Sequence, residues 1–323
     1  MIKKLVLLPA TLLLLTSCGQ QEDTSEIKFI SPTGAPALAF YDQGSNENYA
    51  TNSTPTNVAA ELQKNDYDCI IFDSVSGLKS IKKNNANYKL LQIITAGNFY
   101  LVSIDKEPDT NGIYELPNQD DVVVSFGKGN IPDLVYNRLC SEYWNINTNV
   151  EYVDGVKDAG AVLKTGKYNG NDVDYVFIAE PVLTSITNDK TANTYGKVNI
   201  VRDIRAEWKN YSGQDGLAQA GLFVHKNALE NKKSKLTEFI VHMNSSIEIA
   251  ITNPNSAADT LSAFGTSEEQ TARFGFNANT VKTVQGNDKN GFGLLAPSKT
   301  VDVNAFLEKL GQEIFSDDYF ATL

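Results

Sequence analysis

Two separate runs of alternating strand and helix signals constrain this chain more than any other feature. Residues 27–30, 48–51, 68–72, 90–95 and 99–104 are short β-branched or aromatic segments that read as strands. A helix opens at Thr54 and runs to about Lys64, and another follows the Asp73-Ser74-Val75-Ser76 loop to about Lys83. A polar stretch from Asp105 to Asp121 follows, and then the alternation restarts. Residues 122–126, 149–153 and 174–179 read as strands, with helices over 131–143, over 156–165 and after Pro181. Residues 198–204 look like a strand that leaves this second set, residues 217–225 read as a further strand, and the remainder to Leu323 is mainly helical.

Strand–helix–strand alternation predicts parallel sheets joined by right-handed crossovers. At 323 residues the chain exceeds what one core usually organises, so two sheets are expected, one inserted in the sequence of the other. The predicted fold class is α/β with two lobes and a hinge of two crossing connections. Residues 27–108 plus 210–323 form the first lobe and 109–209 the second, with connections near 105–117 and 202–214. Such lobes leave a cleft. Ligands of open sheets bind beyond the carboxyl ends of strands, where loops meet helix amino ends.

The first residues read as an address. Lys3 and Lys4 precede an apolar run over 5–15, broken by Pro9 and Thr11. A spanning helix needs about 20 apolar residues, so this run fits a signal-peptide core better. Leu15-Thr16-Ser17-Cys18-Gly19 resembles a bacterial lipobox, in which Cys18 becomes the lipidated first residue; a secretory peptide with an incidental cysteine is the alternative. Residues 1–17 are then a signal peptide and 18–26 a polar tether. The protein is expected on the extracytoplasmic face of the cell membrane, held by lipid.

Composition excludes several chemistries. Lys plus Arg number 28 against 39 Asp plus Glu, a formal charge of −11 that disfavours a nucleic-acid partner. His225, His242 and three cysteines are too little material for a zinc or iron site, although a carboxylate-only calcium site stays open on composition. No metal and no cofactor is expected. Cys69, in an apolar strand pattern, and Cys140, on an apolar helix face, read as buried free thiols. No Gly-x-Ser-x-Gly or His-Glu-x-x-His appears, and both histidines read as structural, so no catalytic residue is assigned.

Five loops fall where a cleft ligand would sit. In Ser31-Pro32-Thr33-Gly34-Ala35-Pro36, Thr33 and Gly34 offer backbone amides and close approach, or simply make a tight turn. Ser74 either binds ligand or caps the next helix. Asn98 carries both a donor and an acceptor, beside Phe99 and Tyr100, which stack on a ligand or belong to the core. Phe126-Gly127-Lys128-Gly129-Asn130-Ile131-Pro132-Asp133 lacks the third glycine of a dinucleotide fingerprint, yet Gly129 and Asn130 present amides at a helix amino end. Glu180 accepts from a ligand donor or serves the helix that Pro181 begins.

These blocks, in this order, resemble the NMT1/THI5-like substrate-binding proteins of ABC importers, relatives of the nitrate, sulfonate, taurine and thiamine-precursor binders. The resemblance lies in residues 31–38, 97–103, 127–133 and 179–181, with Leu222-Phe223-Val224 and Thr252-Asn253-Pro254-Asn255 at the return to the first lobe. It implies a type II periplasmic-binding-protein fold that closes on a small organic solute. It also implies a monomer whose partners are a permease and an ATPase subunit. The ligand-binding residues would be Thr33, Gly34, Ser74, Asn98, Gly129, Asn130 and Glu180. The family's enzymes carry a cysteine-rich motif that this sequence lacks, which argues against the enzymatic branch. An extracellular enzyme on the same scaffold and a sensory or adhesive lipoprotein are the competing readings.

Overall fold

The structure, a computed structural model, describes residues 23, 25–287 and 291–323. The expected signal peptide 1–17 and Cys18 lie outside the described residues, as do 19–22 and 24 of the tether. The strands are β1 (Phe29–Pro32), β2 (Tyr49–Asn52), β3 (Cys69–Asp73), β4 (Tyr88–Thr95), β5 (Phe99–Ile104), β6 (Val123–Phe126), β7 (Val150–Val153), β8 (Lys167–Tyr168), β9 (Asn171–Asp172), β10 (Tyr175–Ala179), β11 (Val198–Asp203) and β12 (Ala220–His225). The helices among them are α1 (Pro55–Lys64), α2 (Ser74–Asn84), α3 (Ile131–Leu139), α4 (Val156–Thr165), α5 (Val182–Thr187) and α6 (Ile204–Ser212). The C-terminal third adds α7 (Lys226–Asn231), α8 (Lys233–Thr252), α9 (Pro254–Phe264), α10 (Ser267–Phe274), α11 (Ala278–Asn287) and α12 (Val303–Lys309).

Two five-stranded sheets result, in the orders β2-β1-β3-β12-β4 and β11-β5-β10-β6-β7. The central strands show why the first sheet is covered on both faces. In β3, Ile70 and Phe72 enter the core shared with α1 and α2. Cys69 and Ile71 enter the opposite core, with Leu236, Met243 and Ile247 of α8. In β12, Phe223 joins the first of these cores, while Leu222 and Val224 join the second. Side chains of successive strand residues point to opposite faces, so a strand apolar at every position needs helices on both. Cys69 and Cys140 are buried free thiols, in β3 and just after α3 respectively.

Three features depart from the sequence reading. First, β5 was expected with the first lobe; instead it sits between β11 and β10 in the second sheet. Its first five residues are buried, so it requires a neighbour on each edge and cover on each face. The short turn before it resembles a hairpin but carries the chain from one sheet to the other. The first crossing therefore lies at Ala96-Gly97-Asn98 rather than near 105–117. The strand over 198–204 correspondingly stays in the second sheet as β11, and the return follows through α6. Second, the sheets are mixed rather than parallel: β12 runs antiparallel to β3 and β4, and β5 antiparallel to β10 and β11. A strand entering from the other sheet needs no crossover helix, so nothing forces it to run parallel. Third, Asn169 and Gly170, with φ of 49° and 84°, turn β8 into β9, a small hairpin that apolar patterning does not reveal.

Candidate functional site: the gap between the two sheets

The carboxyl ends of β1, β3, β4, β6 and β10 lead into the loops where a solute was expected. Ser74 begins α2, fully buried. Its N–H donates to Gln219 O at 3.0 Å and its hydroxyl to Ala218 O, which pins α2 to the entrance of β12. Asn98 is 2% exposed at the first crossing. Its Nδ2 donates to Glu180 O at 2.6 Å, its own carbonyl accepts from Glu180 N at 3.0 Å, and its Oδ1 accepts from Gln219 Nε2 at 3.0 Å. One asparagine thus joins both crossings to the end of β10.

Across the gap, Ser76 Oγ donates to Asn130 Oδ1 at 2.7 Å. Asp73, the last residue of β3 and the N-cap of α2, accepts from Ser76 N at 2.8 Å and from Ile131 N, the first residue of α3, at 3.1 Å. Burial raises the Asp73 carboxyl above the usual range, while the Ser76 and Ile131 amides and the Lys79 charge pull it back. Gly129 N donates to Asp133 Oδ2 at 2.7 Å and Asn130 N to Gly127 O at 2.9 Å. The Glu180 carboxylate accepts from Thr184 N at 3.0 Å and Thr184 Oγ1 at 2.7 Å, at the start of α5.

Thr33 and Gly34 lie on a different border. Thr33 N donates to Asn52 O at 3.1 Å and Gly34 N to Phe274 O at 2.7 Å, so the loop after β1 is seated on the end of α10. A Cβ on Gly275 would lie 2.8 Å from Gly34 N, which explains the glycine there. Ser74, Asn98 and Glu180 are therefore linked by hydrogen bonds through the crossings, and Asn130 is joined to the Asp73–Ser76 turn. Thr33 and Gly34 are bonded instead to β2 and α10.

A cavity of about 510 Å³ opens beside this contact zone, lined by Tyr100, Glu180, Leu183, Thr184, Asp203 and Thr283 among others. It joins the start of β5, the length of α5 and one edge of β11 to α11. Phe99 and Tyr100 both belong to the core; Phe99 packs 5.5 Å from Phe177 and 6.0 Å from Phe126, and Tyr100, equally buried, also lines the cavity. Asp73 and Gln219 in the polar contact zone, and Asp203 on the cavity wall, are residues that the loop motifs did not single out. Asp73 signals itself only as a helix N-cap, and Gln219 carries no motif. The histidines lie elsewhere: His225 Nδ1 accepts from Asn227 N at 3.1 Å at the start of α7, and His242 pairs with Asp42 at 2.7 Å. Among the described residues no group of three His, Cys, Asp or Glu could hold a metal ion, and no helix is long and apolar enough to cross a membrane.

The architecture is similar to that of several solved proteins. An ABC transporter structure from Parabacteroides distasonis matches with a TM-score of 0.65 at 16% identity, over 93% of this chain and 99% of that one. The ligand-binding component of an ABC-type import system from Staphylococcus aureus, solved with zinc bound, matches at 0.66 and 11%, over 92% and 97%. The periplasmic aliphatic sulphonate-binding protein SsuA from Escherichia coli matches at 0.62 and 10%, over 89% and 86%. No family model and no curated protein matches the sequence. At these identities the likeness speaks for the fold, and with the strand order of both sheets it establishes that the chain has the type II periplasmic-binding-protein fold.

Proposed function

We propose that this chain is the extracytoplasmic solute-binding component of an ABC importer, related to the NMT1/THI5-like binders and not an enzyme. It is carried on the membrane as a monomer by lipid on Cys18. It captures a small organic solute between the lobes formed by the two sheets and delivers it to a permease–ATPase pair. The observation that supports this most is the gap itself. Loops from the carboxyl ends of strands in both sheets meet there through polar contacts, Asp73 to Ile131, Ser76 to Asn130 and Asn98 to Glu180, beside a cavity of about 510 Å³. Contacts of this kind can be exchanged for contacts to a solute, and a solute touching both sides favours the closed form through differential affinity. Tyr100 and Glu180 are proposed as direct contacts, Ser74, Asn98, Gly129 and Asn130 as residues that shape the gap, and Thr33 and Gly34 as its border.

Thermal melting and small-angle scattering of the mature chain test this against vitamins, pyrimidines, sulfonates and amino acids. One solute is expected to raise the melting midpoint, since a ligand of the folded state alone stabilises it, and to leave a compact particle. A midpoint and shape indifferent to every solute, or conversion of the bound solute to product, would overturn the assignment.

A further inference from the structure

Helices α2 and α3 start on opposite sides of the gap, and their amino ends converge on one side chain. Asp73 Oδ1 accepts from Ser76 N at 2.8 Å and Oδ2 from Ile131 N at 3.1 Å, while Ser76 Oγ closes the ring onto Asn130 Oδ1 at 2.7 Å. The partial positive charge at helix amino ends is what an anionic group seeks. Here that place is already filled. The neighbouring amide of Gly129 is taken as well, by a second carboxylate, Asp133, at 2.7 Å. On the cavity wall, Asp203 likewise holds the amino end of α6, accepting from Arg205 N at 3.0 Å. Beside Asn98, the buried Gln219 Oε1 has no hydrogen-bond partner among the described residues, and it is an acceptor. A carboxylate, sulfonate or phosphate entering this gap finds the amides of both helix amino ends already held by Asp73 and Asp133.

We propose that Asp73 is a resident anion at the meeting point of α2 and α3 and makes the gap refuse anionic solutes, so that the captured solute carries no net negative charge. The proposal rests on the solute-binding role above and assigns its chemical class.

The test uses the full mature chain. Asp73→Ala removes the carboxylate and leaves a space of its size; Asp73→Asn fills the space, keeps an N-cap acceptor and removes the charge. Melting is followed in tens of millimolar sodium formate against sodium chloride. Formate is expected to raise the midpoint of the alanine variant by about 2 °C and to leave the wild type and the asparagine variant unmoved. Calorimetry of the wild type with methanesulfonate is expected to show no saturable binding. A folded alanine variant indifferent to formate overturns the proposal. So does saturable methanesulfonate binding by the wild type, a measurement that stands even where the alanine variant does not fold. Capture of an anionic solute would sink this inference and leave the receptor role intact. Formate rescue alongside silence to every solute would do the reverse.

Discussion

Replacing Asn98 by alanine removes two side-chain hydrogen bonds from a residue that is 2% exposed. Each such bond is worth about 1 kcal/mol net, and a buried polar group left unpaired costs about 1–3 kcal/mol. Glu180 O loses a donor at 2.6 Å. Gln219 Nε2 loses its acceptor, but the half-buried glutamine can turn part of the way to water. The expected loss is therefore about 2–4 kcal/mol, read from urea unfolding at pH 7 by linear extrapolation. Aspartate at this position is a sharper probe. It sets a carboxylate oxygen against the Glu180 carbonyl in place of the amide donor, so Asn98→Asp is expected to cost more than Asn98→Ala at pH 7. Burial and that carbonyl would raise the new carboxyl above its unfolded value near 3.9. Its penalty is then absent below about pH 4 and appears as pH rises through the folded value. Repeating the titration near pH 4 should bring the two variants together. An alanine variant within about 0.5 kcal/mol of wild type, or an aspartate variant more stable than alanine at pH 7, would refute the view that Asn98 fastens the crossings.

Three further outcomes are expected. In Gly77→Ala the new Cβ would lie 2.3 Å from Phe223 Cζ, and Phe223 is fully buried, so overpacking of about 1–3 kcal/mol outweighs the ~1 kcal/mol gained in helix propensity. A lower unfolding midpoint, partly restored by Phe223→Leu, checks this, and a stabilised Gly77→Ala would contradict it. Burial pushes the Cys69 thiol well up and the Cys140 thiol to about 11, so in a chain starting after Cys18 neither should react with a thiol reagent at pH 8 until the protein unfolds. Burial lowers the His225 pKa, which makes the neutral ring the native form. Its contribution is full above about pH 6.5 and is lost as pH falls through the folded value, so melting curves between pH 7 and 5 should fall less steeply in His225→Asn, which keeps a capping acceptor for α7.

The sequence reveals elements more readily than their neighbours. The run Cys69-Ile70-Ile71-Phe72 reads as a strand covered on both faces because it is apolar without alternation, and so it proves. Phe99–Ile104 reads as a strand equally well, yet its partners are Tyr175–Ala179 and Val198–Asp203, far along the chain, and nothing local names them. Gly97 adds to the difficulty. Its φ of 117° suits a simple turn, but a Cβ there would meet Leu217 at 3.2 Å, a contact that exists only because the second crossing passes alongside. The site divides in the same way. Asn98, Asn130 and Glu180 advertise polar chemistry from their loops, whereas the bonds that tie Asn98 to Gln219 and Ser76 to Asn130 span 121 and 54 residues. Asp73 is legible as an N-cap through Ser76; its second oxygen answers to Ile131, 58 residues onward, and only the assembled fold shows it.

The short segment ahead of β1 has a bearing on how the molecule stands. Asp23 N donates to Asn231 O at 2.7 Å, and Glu26 pairs with Lys235 at 3.1 Å, so the chain is fastened beside α7 and the start of α8 before β1 begins. From Phe29, β1 climbs away from that fastening toward Thr33. What comes before Asp23 is thus joined to the body at α7 and α8, and not at the loop of Thr33 and Gly34 that borders the gap.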